Sequence, residues 1–254
     1  MQYLKYKPHI LLQKYIDFYW VLQTDKTALK VPLFSDVTTD VFINMGNTAG
    51  DIGSLMLVAP GNMYMGGPGT CAFYFNCFPG NVFIGIRFKP GGLPLFYHVP
   101  LADMVDQIIE FRDPQLASIL DVDELLPSRL DEYFLSKKKT KHSATIIADA
   151  VYQYKGRISV DMLAKECNMS NRTLERYFYN HMGIGPKEFI NIIRFRQVLL
   201  ALQNGSTRGE LVKIAAELGY YDQSHFIHDV KAFTGYHPSF YFSGKAEGTE
   251  YLYI

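Results

Sequence analysis

The 254-residue sequence is short of cysteine, has no net charge and contains no long apolar run. Each shortage excludes something. Cys71, Cys77 and Cys167 are the only cysteines, and none stands in a C-x-x-C spacing, which argues against a disulfide framework or a thiolate metal site. They read as reduced thiols; pairing of Cys71 with Cys77 is the minor alternative, since both lie in an aromatic, strand-like stretch. No apolar stretch reaches the roughly 18 residues that a spanning helix needs, so no membrane role is expected. The opening residues mix Lys and Asp and show no apolar core before a small-residue cleavage site, so a cytoplasmic protein is expected. A His-x-His pair, a G-x-S-x-G elbow, a nucleotide loop and a zinc spacing are all missing. His9, His98 and the Asp residues therefore have no motif that would make them catalytic. The expectation is no metal, no cofactor and no enzyme.

The zero net charge hides a small split. Residues 1–140 hold 12 Lys and Arg against 14 Asp and Glu, and residues 141–254 hold 13 against 11. A two-charge surplus is weak support for nucleic acid. Any such case has to rest on pattern.

Two grammars are present. Val37–Asn44, Ser54–Ala59, Thr70–Phe75 and Asn81–Phe88 are short, β-branched and aromatic, with Gly and Pro clusters between them. Regular short strands so punctuated predict a barrel or sandwich. A helix is expected before them over His9–Trp20, where Leu11, Leu12, Tyr15, Ile16 and Tyr19 share a helical face. Leu101–Glu110, Asp113–Leu120 and Pro127–Leu135 read as helical. Ser136–His142 is polar, basic and without period, as a connector would be. Beyond it, Ser143 suits the cap of a helix running to about Tyr154, with Gly156 as its stop.

The second grammar contains a repeat. Ser159–Phe178 and Glu210–Phe226 align on Ala164 and Ala215, 51 residues apart. Leu163 then meets Ile214, Cys167 meets Leu218, Asn168 meets Gly219 and Met169 meets Tyr220. Two helices crossing steeply need a small residue at closest approach, which Ala supplies. The turn needs a residue tolerant of positive φ, which Gly and Asn both are. Ser170 and Asp222 follow where a helix N-cap belongs. Each copy reads as a helix-turn-helix. Gly185–Leu202 between them predicts one long helix, with Pro186 and Glu188 suited to its first turn. Such a helix can hold the two units about one DNA turn apart, near 34 Å.

On these residues the chain resembles the AraC/XylS family of bacterial regulators. The resemblance is carried by Ala164–Phe178, Gly183–Phe189, Arg194–Arg196, Ile214–Phe226 and Gly235–Phe240, and spans roughly residues 143–242. The first half, through Ile84–Gly92, is more loosely similar to the N-terminal domain of some members. The resemblance implies double-stranded promoter DNA as partner, and a first domain that senses a small molecule or forms a homodimer.

In such a fold the helix after each turn enters the major groove. Asn171, Arg172, Glu175 and Arg176 project from the first, and Gln223, Ser224, Ile227 and His228 from the second. The Arg residues suit bidentate contact with guanine, although an ordinary solvated helix carries such charges too. The resemblance places Arg where His228 stands, which leaves the second unit with a weaker donor and makes pH-dependent affinity an expectation. His225 and His228 are three apart, yet no third metal ligand is near in sequence. Lys155, Arg157, Ser170, Arg194 and Lys213 are candidate phosphate contacts; Arg196 is another, or a structural ion pair.

The fold class read from the sequence is α+β. Residues 1–135 form a β-rich, barrel-like domain with flanking helices, 136–142 a linker, 143–243 an all-α domain with two helix-turn-helix units joined by a long helix, and 244–254 a tail. Residues 1–140 hold 20 of the chain's 37 aromatic residues. These make a small core or line an effector pocket, with Trp20, Phe42, Tyr64, Phe73, Phe75 and Phe83 as its wall. The function expected is sequence-specific transcription regulation. The alternative is a protein-interaction module that keeps the scaffold with weak or lost DNA binding.

Overall fold

The computed structural model describes residues 1–53, 56–137, 144–203 and 208–242. Most of the expected connector, the Ser143 cap, the tail and the start of the Ser54–Ala59 strand lie outside the described residues.

The described chain opens with strands β1 (Gln2–Tyr6), β2 (Ile16–Gln23), β3 (Leu29–Leu33), β4 (Thr39–Asn44) and β5 (Gly50–Ile52). It continues with β6 (Met56–Val58), β7 (Met63–Gly66), β8 (Phe73–Cys77), β9 (Val82–Phe88) and β10 (Ile108–Phe111). All pairings are antiparallel. The larger sheet has the order β1-β2-β9-β4-β7-β10 and the smaller β3-β8-β5-β6. The two sheets stack without closing.

Alternation along the large sheet explains its nearly unbroken apolar strands. Trp20, Leu22, Phe42, Tyr64 and Phe83 point toward the small sheet and meet Val31, Ile52, Val58 and Phe75 there. Their neighbours Tyr19, Val21, Val41, Met63, Met65, Ile84, Ile86 and Phe88 point the other way. That second face is covered by Leu93–Leu120 and by Leu126, Leu130 and Phe134 of a helix. A sheet buried on both faces has no polar side to show.

The helices are α1 (Pro114–Ala117), α2 (Leu126–Lys137), α3 (Ala144–Gln153), α4 (Val160–Glu166), α5 (Asn171–Met182), α6 (Pro186–Gln203), α7 (Arg208–Glu217) and α8 (Gln223–Thr234). At about 1.5 Å per residue, α6 spans about 27 Å. It touches α3, α5, α7 and α8. Phe189, Ile190, Ile192, Ile193, Phe195, Val198 and Leu199 are all buried, so this helix is apolar nearly all round, as a central helix must be.

Two expected helices are absent. Over His9–Trp20 the chain makes a turn, with Leu12 N donating to His9 O and Ile16 N to Leu12 O, and then enters β2. Ile16–Gln23 is gripped by β1 on one side and β9 on the other, and this pairing overrides its helical spacing. Leu101–Glu110 is only a 3-10 turn, Leu101–Met104, before Asp106 at φ 56° and the pairing of β10 with β7. The expected Asp113–Leu120 helix shrinks to the single turn of α1, capped by Asp113.

The N-terminal and C-terminal parts meet through a shared ion. Asp36 Oδ1 accepts from Arg196 Nη1 of α6 at 2.6 Å, and Asp36 Oδ2 from Arg87 Nη1 of β9 at 3.0 Å. Arg87 also donates to Asp40 through Nη2 at 2.9 Å. Around this triad, Val37, Phe34 and Val105 pack on the helical core. Ser35 N donates to Phe233 O at 3.4 Å, Tyr74 bonds Tyr236 through the hydroxyls, and α5 rests on Leu101–Met104. Burial opposes ionisation of Asp36, but Arg196, Arg87 and the bond from Thr38 hold its carboxyl below the usual range.

Two outcomes follow. A Cβ on Gly85 would collide with the Trp20 indole, which crosses β9 there and is 1 % exposed. Gly85→Ala should therefore lose about 2 kcal/mol in denaturant unfolding followed by tryptophan fluorescence. Asp36→Asn leaves Arg87 and Arg196 facing an uncharged group, and should lose about 3 kcal/mol at neutral pH. A depressed carboxyl stabilises above its ordinary pKa of 3.8 and stops doing so as the pH falls through its lower folded value. The gap between wild type and Asp36→Asn should hold from pH 5 to 8 and narrow only below pH 4.

Candidate nucleic-acid interface and effector cavity

The two aligned segments fold with the same backbone bonds. In the first, Cys167 N donates to Leu163 O, Asn168 N to Lys165 O and Met169 N to Ala164 O, at 3.0, 3.1 and 2.8 Å. In the second, Leu218 N donates to Ile214 O, Gly219 N to Ala216 O and Tyr220 N to Ala215 O, at 2.8, 3.0 and 3.0 Å. The turn residues Asn168 and Gly219 have φ of 53° and 82°, a left-handed position where Asn and Gly are the residues that fit. Ala164 and Ala215 are buried at the crossings. Both following helices are capped by their own sequence: Ser170 accepts from Thr173 N at 3.2 Å and Asp222 from His225 N at 2.7 Å.

On α5, Leu174 and Phe178 are buried while Asn171, Arg172, Glu175 and Arg176 are exposed. Asn171 Nδ2 donates to Asp161 of α4 at 2.5 Å, so this amide is partly occupied in tying the two helices together. On α8, Gln223, Ser224 and His228 are exposed, and Phe226 and Val230 are buried. Ile227 differs from its expected outward position: it is half-buried and packs on the helical core. His225 and His228 flank the buried Asp229, at 3.7 and 3.6 Å. Tyr221, which the sequence reading passed over, is 93 % exposed directly before the α8 cap. An aromatic residue beside an N-cap was the available signal.

The phosphate candidates divide. Lys155, Arg157 and Lys213 are exposed. Ser170 is exposed too, although its hydroxyl serves as the α5 cap. Arg194 does not reach out. Its Nε donates to Gly156 O at 3.1 Å, and its guanidinium lies over the Tyr220 ring at 5.7 Å. It links the turn before the first unit to the turn of the second. Arg196, two residues on, points to Asp36 and makes the structural ion pair foreseen as one of its roles.

A cavity opens beside the sheets of the N-terminal domain, with about 710 Å3 of empty space including its mouth. Of the six aromatic residues proposed for a pocket wall, Trp20, Phe42, Phe73 and Phe75 line it, whereas Tyr64 and Phe83 do not. Tyr64 stacks behind Phe42 and uses its hydroxyl on Ala59 N and Leu57 O; Phe83 packs behind Phe75. Counting aromatic residues could not find the polar part of the wall: Asp36, Thr38, Asp40, Arg87, Asp106 and Gln107. The cysteines are not joined in disulfides; Cys77 is buried, and Cys71 is exposed beside Asp106 of the wall.

Residues 163–244 match the family model described as a helix-turn-helix domain. Residues 4–110 match that of a domain of unknown function, DUF6597. No curated protein matches the chain. Among solved structures, ToxT from Vibrio cholerae is similar at 12% identity, with 86% of this chain and 98% of that one covered and a TM-score of 0.49. Unsaturated fatty acid bound wild-type ToxT from Vibrio cholerae is similar at 12% identity, covering 87% and 96%, with a TM-score of 0.48. The AraC-like transcriptional activator CuxR is similar at 14% identity, covering 80% and 82%, with a TM-score of 0.29. The C-terminal part of the chain thus matches a helix-turn-helix domain of the AraC type, and the N-terminal part matches a domain of the DUF6597 type.

Proposed function

We propose that the chain regulates transcription by setting α5 and α8 into successive major-groove segments on one face of promoter DNA, and that the N-terminal cavity receives a small-molecule effector. The observation that carries the first half is the repeat itself: two self-capped helices, each with an exposed polar N-terminal half, fastened to one buried spine, α6. Rigid mounting matters because helices that wander cannot read a fixed spacing. Arg172 and Arg176 are the guanine-reading candidates, with Glu175, Gln223, Ser224 and His228 as further base contacts and Lys155, Arg157 and Lys213 as phosphate contacts. Ile227 is left out of this set, because it belongs to the packing under α8.

The cavity supports an effector by its mixed wall, in which aromatic rings stand beside carboxylates and an arginine. Its coupling to DNA runs through Asp36, which faces the cavity and also grips α6. Any ligand that alters the charge balance at Asp36 alters how the helical domain is held.

Selection of bound duplexes from a random library, followed by binding assays across salt, tests the reading. Arg172→Ala and Arg176→Ala should each weaken the selected duplex by about 1–3 kcal/mol and relax its sequence preference. Retained affinity and preference in both variants would reject α5 as a reading helix. Arg194 gives a sharper case. Arg194→Met should lower the unfolding stability by about 1–2 kcal/mol and weaken binding, yet leave the salt slope as in wild type. A slope smaller by about one would show that Arg194 touches a phosphate after all.

A further inference from the structure

The cavity has an electrostatic sign. Three carboxylates reach its wall, Asp36, Asp40 and Asp106, against the guanidinium of Arg87 and that of Arg196, which pairs with Asp36 from α6, so one negative charge is in excess. Arg87 is committed to two of them, with Nε and Nη2 on Asp40 and Nη1 on Asp36. An incoming anion would have to displace a carboxylate from Arg87 and then sit beside the acid it displaced. A cation meets no such conflict. Asp36 already accepts from Arg196, Arg87 and Thr38 N, and Asp40 from Arg87 and Trp20 Nε1, so a cation is drawn by their charge and not as a further hydrogen-bond donor.

The remainder of the wall favours the same charge. Trp20, Phe34, Phe42, Phe73 and Phe75 present ring surface to the space. Ring faces attract organic cations, most of all where water is excluded. The Trp20 ring is also held in place, its Nε1 donating to Asp40 Oδ1 at 3.0 Å. Aromatic faces with carboxylates between them are how an ammonium is desolvated without losing its partners.

We propose that this cavity is a receptor for an apolar organic cation, an aralkyl amine or quaternary ammonium ion, whose charge is read by Asp36 and Asp40. This rests on the reading of the cavity as the effector site and adds the ligand's class. It also supplies a regulatory step. The Asp36 carboxylate that faces the cation is the one that holds Arg196 of α6. A cation seated there competes with Arg196, and the grip on the helical domain weakens.

Trp20 is the sole tryptophan of the sequence, so its fluorescence reports this wall alone. The full chain, free of DNA, is titrated at pH 7.5 with three probes of one shape: 4-phenylbutylamine, 4-phenylbutanol and 4-phenylbutyrate. The amine should give a saturable change with a Kd about tenfold below that of the alcohol, and the acid should bind weakest. Asp106→Asn removes one charge from the wall and leaves both arginine pairs of Asp36 intact. It should narrow the amine's advantage over the alcohol about threefold. Equal Kd values for the three probes, tighter binding of the acid, or no saturable change with any of them would overturn the proposal. Since no DNA is present, such a failure leaves the groove-reading helices untouched, and a failure of DNA binding leaves the titration standing.

Discussion

One carboxylate joins the two parts of this molecule. Asp36 lies in the segment between β3 and β4, with its side chain 13 % exposed, and it takes one guanidinium from the sheet and another from the central helix. Two buried arginines this close repel each other unless an acid stands between them. Arg87 is further neutralised by Asp40, which in turn fixes the Trp20 indole. The chain of contacts therefore runs from an aromatic ring in the cavity wall, through two acids and an arginine, to the helix on which both helix-turn-helix units are mounted.

The mounting explains why a change at Arg196 of α6 would be felt at both α5 and α8. α6 is buried nearly all round, so it cannot rotate or slide without repacking α3, α5, α7 and α8 together. Arg194 adds a clamp between the turn before the first unit and the turn of the second. Its neighbour Arg196 faces the sheets. The two arginines, two positions apart and so on different sides of the helix, divide the work between holding the helical domain together and holding it to its partner domain.

The N-terminal domain illustrates where local pattern misleads. Leu11, Leu12, Tyr15, Ile16 and Tyr19 have helical spacing, and four of the five do share one buried environment. They reach it from a turn and a strand, because the edge of β9 and the strand β1 offer Ile16–Gln23 hydrogen bonds on both sides. The same holds for Ile108–Phe111, drawn into the sheet by β7. Strand pairing is a contract between distant segments, and nothing within a ten-residue window states it.

The helical domain was legible because its determinants are local. A left-handed turn position demands Asn168 or Gly219, a helix start demands Ser170 or Asp222, and a close crossing demands Ala164 or Ala215; each demand is met within a few residues of chain. The exposed faces carrying Arg172 and Arg176 then followed from helical period alone. What tertiary structure decided was every role that depends on a distant partner. It turned Arg194 inward to Gly156 and Tyr220, gave Arg196 to Asp36, withdrew Tyr64 and Phe83 from the cavity, and assembled the acidic part of its wall from two distant stretches of chain, 36–40 and 106. The physical reason is range: capping, turn geometry and helical period act over a few residues, whereas the partner of a buried charge is set by whichever segment folding brings alongside it.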